Sequence, residues 1–306
     1  MSITRSVAVA AIAVIVASCA GTTQASRNPV PDAANELLSA DRAFSAASTR
    51  TDLISGLSAM FDVEVILPVP GNAFVEGKAN AVETLRTNPD NARSRLEWTP
   101  IRAGVSADGQ HGFTFGYMTM HKPDSSRVPM KYMTYWIKRA EGWRAIGYKR
   151  RPRPAGEVSL ALMPSSLPGW SQPPTTDPAT IARHRESLAA AEREFSDTSQ
   201  VVGIGPAFAK YGLADAVNMG GQNDTVFVVG SAAIARSVGA GYPPTGSPVS
   251  WAADYKAIVA SSGDLGITFG FIRANPPAAG QAATGFPFFT IWKRASRTAP
   301  WRYIAE

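Results

Sequence analysis

Residues 37–48 read LLSADRAFSAAS and residues 188–199 read LAAAEREFSDTS, with a leucine, an arginine, a phenylalanine and two serines in matching positions. In both stretches the apolar residues recur at the spacing of an amphipathic helix. Three further pairs follow in the same order: FVEG (74–77) and FVVG (227–230), GFTFGY (112–117) and GITFGF (266–271), TYW (134–136) and TIW (290–292). Two copies of one domain are therefore predicted, each long enough to bury its own core.

The repeat and the composition divide the chain into five segments. These are a signal peptide with a lipobox (1–19), a polar tether (20–31), a first domain (32–150), a proline-rich linker (151–176) and a second domain (177–306). Each domain shows two helical stretches, two short strands, a third helix and four longer strands with period-two patterning. Asp32 is predicted to cap the first helix, and Asp177 followed by Pro178 to begin its counterpart.

The first 19 residues have the features of an export signal. Arg5 precedes an apolar run at 7–16, which is too short to span a bilayer, and the segment ends in Val-Ala-Ser-Cys19. This ending resembles the bacterial lipobox, and Cys19 is the only cysteine of the chain, so we expect it to carry a lipid anchor. Ala20 resembles the following residue of outer-membrane lipoproteins, which predicts a periplasmic location at that membrane. The alternative is an ordinary secretory signal cleaved after Ala25.

The composition excludes several kinds of site. Apart from Cys19 there is no cysteine, which excludes disulfides, thiol catalysis and thiolate metal sites in the domains. The three histidines are scattered, so no metal and no cofactor is predicted. Much of the net charge of +6 lies near KRRPR at 149–153. Without interleaved aromatic residues this cluster is interpreted as a solvated edge and linker, and no nucleic-acid partner is expected.

The order of elements and several short words resemble the nuclear transport factor 2-like superfamily, in particular its SnoaL-like branch (domain of unknown function 4440). The words are Ala-x-x-x-Phe in the first helix, Phe-Val-x-Gly before the third, and Gly-x-Thr-x-Gly-Tyr and Thr-x-Trp in the long strands. The resemblance implies an α+β fold of two tandem cone-shaped domains, each with three helices packed on a strongly curved antiparallel sheet. It also implies pairing through the outer faces of the sheets, as an intramolecular pseudo-dimer. The superfamily includes isomerases, cyclases and dehydratases, so the fold alone assigns no reaction.

Aromatic residues of the long strands are the candidates for a ligand pocket. Alternate residues of a strand point to one side, so a curved sheet closed by helices encloses one set of them. If the aromatic faces turn inward, each domain encloses a cavity suited to a flat apolar molecule; otherwise these residues are simply its core. The candidates are Phe115, Tyr117, Tyr132 and Trp136 in the first domain and Phe269, Phe271, Phe288 and Trp292 in the second.

Candidate catalytic residues are few. A reaction of the isomerase kind needs a carboxylate or histidine base inside a dry pocket. Glu64, Asp62 and His111 are the candidates, all in the first domain. The nearest counterpart of Glu64 is Asp215, whereas His111 corresponds to Leu265. In this interpretation the repeat keeps packing residues and not titratable ones, which favours a protein without catalysis.

The sequence therefore predicts an exported, lipid-anchored, non-catalytic binding or scaffolding protein with pockets for a small apolar ligand. Its expected partners are the membrane, through the anchor, and such a ligand. The alternative is a SnoaL-like or ketosteroid-isomerase-like enzyme that acts on a small hydrophobic molecule in the first domain. An open aromatic cavity in which Glu64 or Asp62 faces Tyr117 or Tyr132 would favour the enzyme, and a solid core would favour the binding module.

Overall fold

The first half of the chain forms three helices and six strands in the computed structural model, which describes residues 29–69, 71, 73–276 and 285–306. The predicted signal peptide, Cys19 and most of the tether lie outside the described residues. The helices are Pro29–Ser48 (α1), Leu53–Met60 (α2) and Lys78–Arg86 (α3). The strands are Phe61–Val69 (β1), Ala73–Glu76 (β2), Arg95–Val105 (β3), His111–His121 (β4), Arg127–Arg139 (β5) and Gly142–Pro152 (β6).

The second half repeats this order of elements. Its helices are Pro178–Val202 (α4), Ile204–Tyr211 (α5) and Ser231–Gly239 (α6). Its strands are Gly212–Asn218 (β7), Val228–Val229 (β8), Val249–Val259 (β9), Leu265–Ala274 (β10), Phe286–Lys293 (β11) and Arg302–Ala305 (β12). Within the described part of the chain, no helix combines the length and the hydropathy needed to cross a membrane.

The strands of each half form one six-stranded sheet, and the strand order is the same in both. It is β2-β1-β6-β5-β4-β3 in the first sheet and β8-β7-β12-β11-β10-β9 in the second. Neighbouring strands are antiparallel, except that β1 runs parallel to β6 and β7 to β12, so the sheets are mixed. Register shifts between β3 and β4 and between β9 and β10 mark bulges, which bend a sheet. The predicted α+β fold of two tandem domains, each with three helices on a curved sheet, is confirmed.

The first helix begins earlier than the sequence predicts. It starts at Pro29, inside the predicted tether, and Asp32 lies in its first turn instead of capping it. Val30 is buried in the core, so extending the helix to this residue adds apolar burial. In the second half Asp177 does cap α4 through two backbone amides, and Pro178 follows in the first turn.

Each domain has a core of its own between its helices and the concave face of its sheet. Leu37 of α1 and Trp136 of β5 belong to the core of the first domain. Leu188 of α4 and Trp292 of β11 hold the corresponding positions in the core of the second. All four side chains are fully buried, so the two stretches that reveal the repeat are the ones that close each domain.

A third apolar cluster lies between the domains, where the convex faces of the two sheets meet. It includes Ile66, Phe113, Phe115, Met133 and Tyr135 of the first domain and Ile267, Phe269, Phe289, Ile291 and Ile304 of the second. Two turns are joined reciprocally beside it. The amide of Ser262 donates to Asp108 Oδ2 (2.9 Å), and the amide of Ala107 donates to Asp264 Oδ2 (3.0 Å). The two halves therefore pair within one chain.

Part of the linker adds to the edge of the first sheet. The amide of Met163 donates to the carbonyl of Ile101 (2.8 Å), and the amide of Ser166 donates to the carbonyl of Ala103 (2.9 Å). The pairing with β3 is parallel, around Gly104 and Ser166. This segment is thus fixed to the first domain and is not a free connection between the two.

Candidate ligand-binding site

Half of the aromatic residues predicted to line pockets face the other domain instead. Phe115, Tyr117 and Phe269 belong to the cluster between the sheets. The ring of Phe115 lies 4.9 Å from that of a phenylalanine of the second domain. Phe271 lies 5.2 Å from the ring of Phe74, which packs against the same cluster. The prediction that these four line ligand pockets is wrong, because they lie on the faces of the strands that meet the other domain.

The other four predicted aromatic residues lie on the concave faces, inside the domains. Tyr132 and Trp136 are buried in the first core, where they act as packing residues. Trp292 is likewise buried in the second core. Phe288 is half-buried and lines a cavity. Of these four residues only Phe288, on the concave side of the second domain, therefore lines a cavity that could hold a ligand.

The predicted catalytic residues lie outside the first core, beside a cleft between the domains. Arg139 donates to both carboxylate oxygens of Asp62 (2.8 and 3.0 Å) and to Glu64 (2.9 Å). Burial raises the pKa of Asp62, but hydrogen bonds, foremost those from Arg139, outweigh it, so this pKa lies below its usual range. His111 Nδ1 lies 3.1 Å from the hydroxyl of Tyr135, and burial lowers the pKa of this histidine to about 4. None of the three faces an aromatic cavity, which the enzyme alternative requires.

A different acid lies in the core of the first domain, on the buried side of α1. Asp41 accepts hydrogen bonds from Trp98 Nε1 (2.6 Å) and from the hydroxyl of Tyr132 (2.8 Å). Burial raises the pKa of Asp41, although these bonds oppose the shift. Burying a carboxyl group without hydrogen-bond partners costs free energy. The hydrogen bonds from Trp98 and Tyr132 therefore allow Asp41 to lie in the core.

Glu192 takes the corresponding place on α4 in the second domain. Its Oε1 accepts from Trp251 Nε1 (2.9 Å), and its Oε2 accepts from Thr268 Oγ1 (2.5 Å) and Trp292 Nε1 (2.9 Å). Burial raises the pKa of Glu192 to about 7, since the three donors offset only part of the desolvation. A carboxylate offers about four lone-pair positions. One position on Oε1 is thus left without a donor among the described residues.

A cavity of about 370 Å³ opens beside Glu192, and we call it the second-domain cavity. Its walls are mostly apolar and aromatic, formed by Phe195, Ile204, Phe208, Val238, Trp251, Ile272 and Phe288. Ligand pockets in proteins usually combine such a lining with a few polar groups in fixed positions. Within the described ranges, histidines and carboxylates do not gather into a group that could hold a metal ion. The cavity therefore suits a small organic molecule.

Two tyrosines of the first domain are replaced at positions of the second domain that line its cavity. Tyr132 corresponds to Phe288, which lacks the hydroxyl that reaches Asp41. Tyr148 corresponds to Glu306. Tyr148 is among the residues that line a separate cavity of about 310 Å³ in the first domain, and Asp41 is not. The acid of the first domain thus lies in the core away from that cavity, whereas the buried acid of the second is among the residues that line a cavity.

Charged groups from both domains border the second-domain cavity. Glu306 accepts a hydrogen bond from Asn218 Nδ2 (2.9 Å), and burial raises its pKa. Lys149 donates to the carbonyl of Phe289 (3.1 Å), and burial lowers the pKa of this lysine against the opposing effect of Glu306. Lys149 and the two arginines after it also line the cavity. The interpretation of this basic cluster as a solvated edge is therefore wrong for these three residues.

Asp41 and Glu192 are the site residues that the sequence patterns leave unmarked, although the repeat places them in register. The inference that the repeat keeps no titratable residue is wrong for this pair. The available signal was an acid one helical turn after Leu37 and Leu188, within the apolar stripe of each helix. An acid on the buried side of a helix needs donors in the core, and Trp98 with its counterpart supplies one in each domain.

No protein-family model and no curated protein matches this chain. Several of the solved structures that resemble it are described as nuclear transport factor 2-like proteins. A ketosteroid isomerase-like protein from Erwinia carotovora atroseptica is 17% identical, with 37% of this chain and 91% of that chain covered and a TM-score of 0.31. A nuclear transport factor 2-like protein with a cystatin-like fold from Novosphingobium aromaticivorans is 15% identical, covering 38% and 79%, with a TM-score of 0.31. One from Salmonella enterica is 15% identical, covering 42% and 95%, with a TM-score of 0.32. At such values these names assign no ligand or reaction to this chain.

Proposed function

We propose that this protein binds a small, mainly apolar molecule in the second-domain cavity, without catalysing a reaction, at the periplasmic side of a bacterial outer membrane. The open space beside Glu192 is the observation that carries the proposal. The first domain serves as the partner that covers the convex face of the second sheet.

The lining indicates the class of ligand. The rings of Trp251 and Phe288 offer apolar and aromatic contacts, and Glu192 offers one free acceptor position. In the first domain the hydroxyl of Tyr132 donates to Asp41 (2.8 Å), and its counterpart Phe288 lacks this hydroxyl. The ligand we expect is therefore a small ring compound with one hydroxyl group, which donates to Glu192 as the hydroxyl of Tyr132 donates to Asp41.

Two observations favour binding over catalysis. The side chain of Glu192 is fully buried and is held by three donors, two of which are indole N–H groups that cannot accept a proton. In the first domain Asp62 and Glu64 are bound to Arg139 outside the core, so they form no base in an aromatic cavity. Asp62 and Glu64 therefore make structural contacts, whereas the contacts of Glu192 are those of a hydrogen-bond acceptor for a ligand.

The membrane anchor is part of the proposal and is supported by the sequence alone. Cys19 is the only cysteine of the chain and stands at the one position where lipidation requires a thiol. Two or three acyl chains would hold the domains stably at the membrane, whereas one would be marginal. Mass spectrometry that finds Cys19 unmodified in the membrane fraction would contradict this part of the proposal.

The ligand site can be tested with 2-naphthol, a flat aromatic probe with one hydroxyl group, and with naphthalene, which lacks it. We expect 2-naphthol to bind about tenfold more tightly than naphthalene, because the hydrogen bond from its hydroxyl group to Glu192 is lost in the latter. Val238→Trp places a large side chain in the second-domain cavity and should weaken 2-naphthol at least about tenfold. Binding is followed by the fluorescence of the probes.

Leu85→Trp is the matched control. Leu85 holds the position on α3 that corresponds to Val238 on α6, and it lines the separate cavity of the first domain. This variant should leave the affinity for 2-naphthol unchanged. If Val238→Trp has no effect, or if Leu85→Trp alone abolishes binding, the site does not lie in the second domain.

A further inference from the structure

The edge strand of the first sheet is covered by the chain itself. The linker runs parallel to β3, with the amides of Met163 and Ser166 on the carbonyls of Ile101 and Ala103. The amide of Val105 donates in turn to the carbonyl of Ser166 (3.3 Å). On this strand Ile101 is 5% exposed and Ala103 is fully buried. This is strand addition to a sheet edge, a mode in which proteins also bind extended segments of other proteins.

The corresponding edge of the second sheet carries no such cover in the part of the chain that the structure describes. The repeat relates Ile101, Ala103 and Val105 to Tyr255, Ala257 and Val259 of β9. Strand β9 pairs with β10 alone, and no described loop bonds the outward carbonyl of Ala257 or the outward amide of Val259. Tyr255 is 37% exposed. An edge with unpaired backbone groups is a template for an added strand.

A cleft of about 520 Å³ lies along this open edge, between the domains. It is lined by residues 256–259 of β9, by Ile137, Lys138, Arg139 and Ile146 of the first domain, and by Ile181 and Arg185 of α4, together with Glu64, Gln110 and His111. On the opposite side of the molecule Lys293, the counterpart of Ile137, donates to Ser166 Oγ (2.9 Å) and to the carbonyl of Leu167 (2.7 Å). The linker therefore occupies, on that side, the place that corresponds to this interdomain cleft.

The charges of the interdomain cleft favour an acidic occupant. Three of its four basic residues are already paired, Lys138 with Glu36 (2.6 Å), Arg139 with Glu64 (2.9 Å) and Lys256 with Glu76. Arg185 is exposed at the cleft and has no ion pair among the described residues. A carboxylate from an occupant would give this guanidinium a partner.

We propose that β9 and the interdomain cleft bind an extended segment of a partner protein as an added parallel strand, with an acidic side chain beside Arg185. The expected segment resembles Met-Pro-Ser-Ser-Leu at 163–167 of the linker, because that sequence fills the equivalent place in the first half. None of the residues that line this cleft lines the second-domain cavity, so the surface is separate from the proposed ligand site.

The test uses two labelled peptides with the sequences ALMPSSLP, which is residues 161–168, and ALMPSSLD. Both should raise the fluorescence anisotropy on binding, and the acidic peptide should bind more tightly. Val259→Pro removes one outward amide at a sheet edge, where proline is tolerated, and should weaken both peptides about tenfold. Arg185→Ser should remove the advantage of the acidic peptide. Arg183→Ser, on the same helix but away from the cleft, should not.

Several outcomes would overturn the proposal. The proposal is wrong if the peptides fail to bind at millimolar concentration, or if Val259→Pro folds and binds them as tightly as the unchanged protein. Protection of the Val259 amide from hydrogen exchange before any peptide is added would show that another segment of this chain fills the cleft, which contradicts a partner protein. If Val259→Pro does not fold, the comparison of Arg185→Ser with Arg183→Ser decides, and equal effects of these two variants reject the proposal.

Discussion

A buried acid joins the first helix of each domain to its sheet, and its length decides its partners. Glu192 is one methylene longer than Asp41 and reaches the indole of Trp292 directly (2.9 Å). In the first domain the corresponding indole of Trp136 donates to Thr114 instead (2.8 Å). The shorter acid is completed by a phenol of its own domain, whereas the longer one is among the residues that line a cavity.

Replacing Glu192 by glutamine should change how stability depends on pH. Burial raises the folded pKa of Glu192 from 4.5 to about 7, so the protonated form is favoured in the folded state. Relative to Glu192→Gln, the unchanged protein is therefore most stable below pH 4.5 and loses on the order of 3 kcal/mol as the pH rises through about 7. The measurement is the free energy of unfolding of both proteins in urea across this range.

The control for the loss of a carboxylate is Glu186→Gln, because Glu186 is exposed on the same helix. A difference between the unchanged protein and Glu192→Gln that stays constant from pH 4 to pH 8 would show that the buried carboxyl does not titrate in this range.

Sequence reasoning at the residue scale found the aromatic residues but not the acids that hold them. Glu64, Asp62 and His111 are candidates because a reaction of the isomerase kind needs a carboxylate or histidine base, and Glu64 also lies in an apolar run typical of a strand. The acids that matter lie in helices, where one charge within an apolar stripe is easily taken for a surface residue. Only the strand register, which brings Trp98 and Tyr132 over Asp41, shows that this charge points inward.

At the scale of elements, the repeated motif Gly-x-Thr-Phe-Gly has a glycine at each of two places where strand β10 closely approaches another element. A side chain at Gly266 would come within 2.5 Å of the Leu188 side chain of α4. A side chain at Gly270 would overlap the carbonyl oxygen of Ala252, at the bulge between β9 and β10. The first glycine lets the helix lie on the sheet, and the second permits the bulge that bends it.

Gly270→Ala should therefore destabilise the protein by roughly 2 to 3 kcal/mol, because the added methyl group meets backbone that cannot move freely. Gly169→Ala is the matched control, since a methyl group there meets nothing within 4 Å. Urea denaturation of both variants measures the effect. Equal stabilities of the two variants would mean that the bulge can relax around the methyl group.

Period-two patterning located the strands but could not say which face turns inward. Residues 112–118 of β4 are buried on both faces, one against the helices and the other against the second domain. Alternation of apolar and polar residues, the usual sign of the solvent face, is therefore absent from these strands. This is why Phe115 and Phe269 were expected in pockets and lie in the interface.

At the scale of the whole molecule, the two domains are held together by apolar contact and by paired turns. Burial raises the pKa of Asp264, whereas hydrogen bonds, foremost that from Ser106, hold the pKa of Asp108 below its usual value despite burial. The two reciprocal contacts thus have similar geometry, but the pKa of the accepting carboxyl is raised in Asp264 and lowered in Asp108. The pairing of the two domains could be predicted from the repeat and the family resemblance. The pairing of the linker with β3 could not, because the linker residues have no period-two pattern typical of a strand.

Phe269→Asp should separate the domains, because it places an acid without a partner in the cluster between the sheets. We expect a loss of at least roughly 3 kcal/mol in the free energy of unfolding and a larger radius of gyration in X-ray scattering. Phe286→Asp is the control, since Phe286 is 66% exposed on the neighbouring strand. Unchanged scattering of Phe269→Asp would mean that the interface does not hold the domains together.

The linker between the halves has a further consequence. In a homodimer of identical chains, any mutation alters both members of the pair at once, so an asymmetric assembly cannot evolve by simple substitution. Here the two members are encoded separately, and their association does not depend on dilution because they are tethered. One member has tyrosines in its interior and a covered sheet edge, while the other has a cavity beside Glu192 and, within the described residues, a sheet edge without such a cover. Covalent duplication thus allows the two halves to differ at the interior and at the sheet edge while they remain paired.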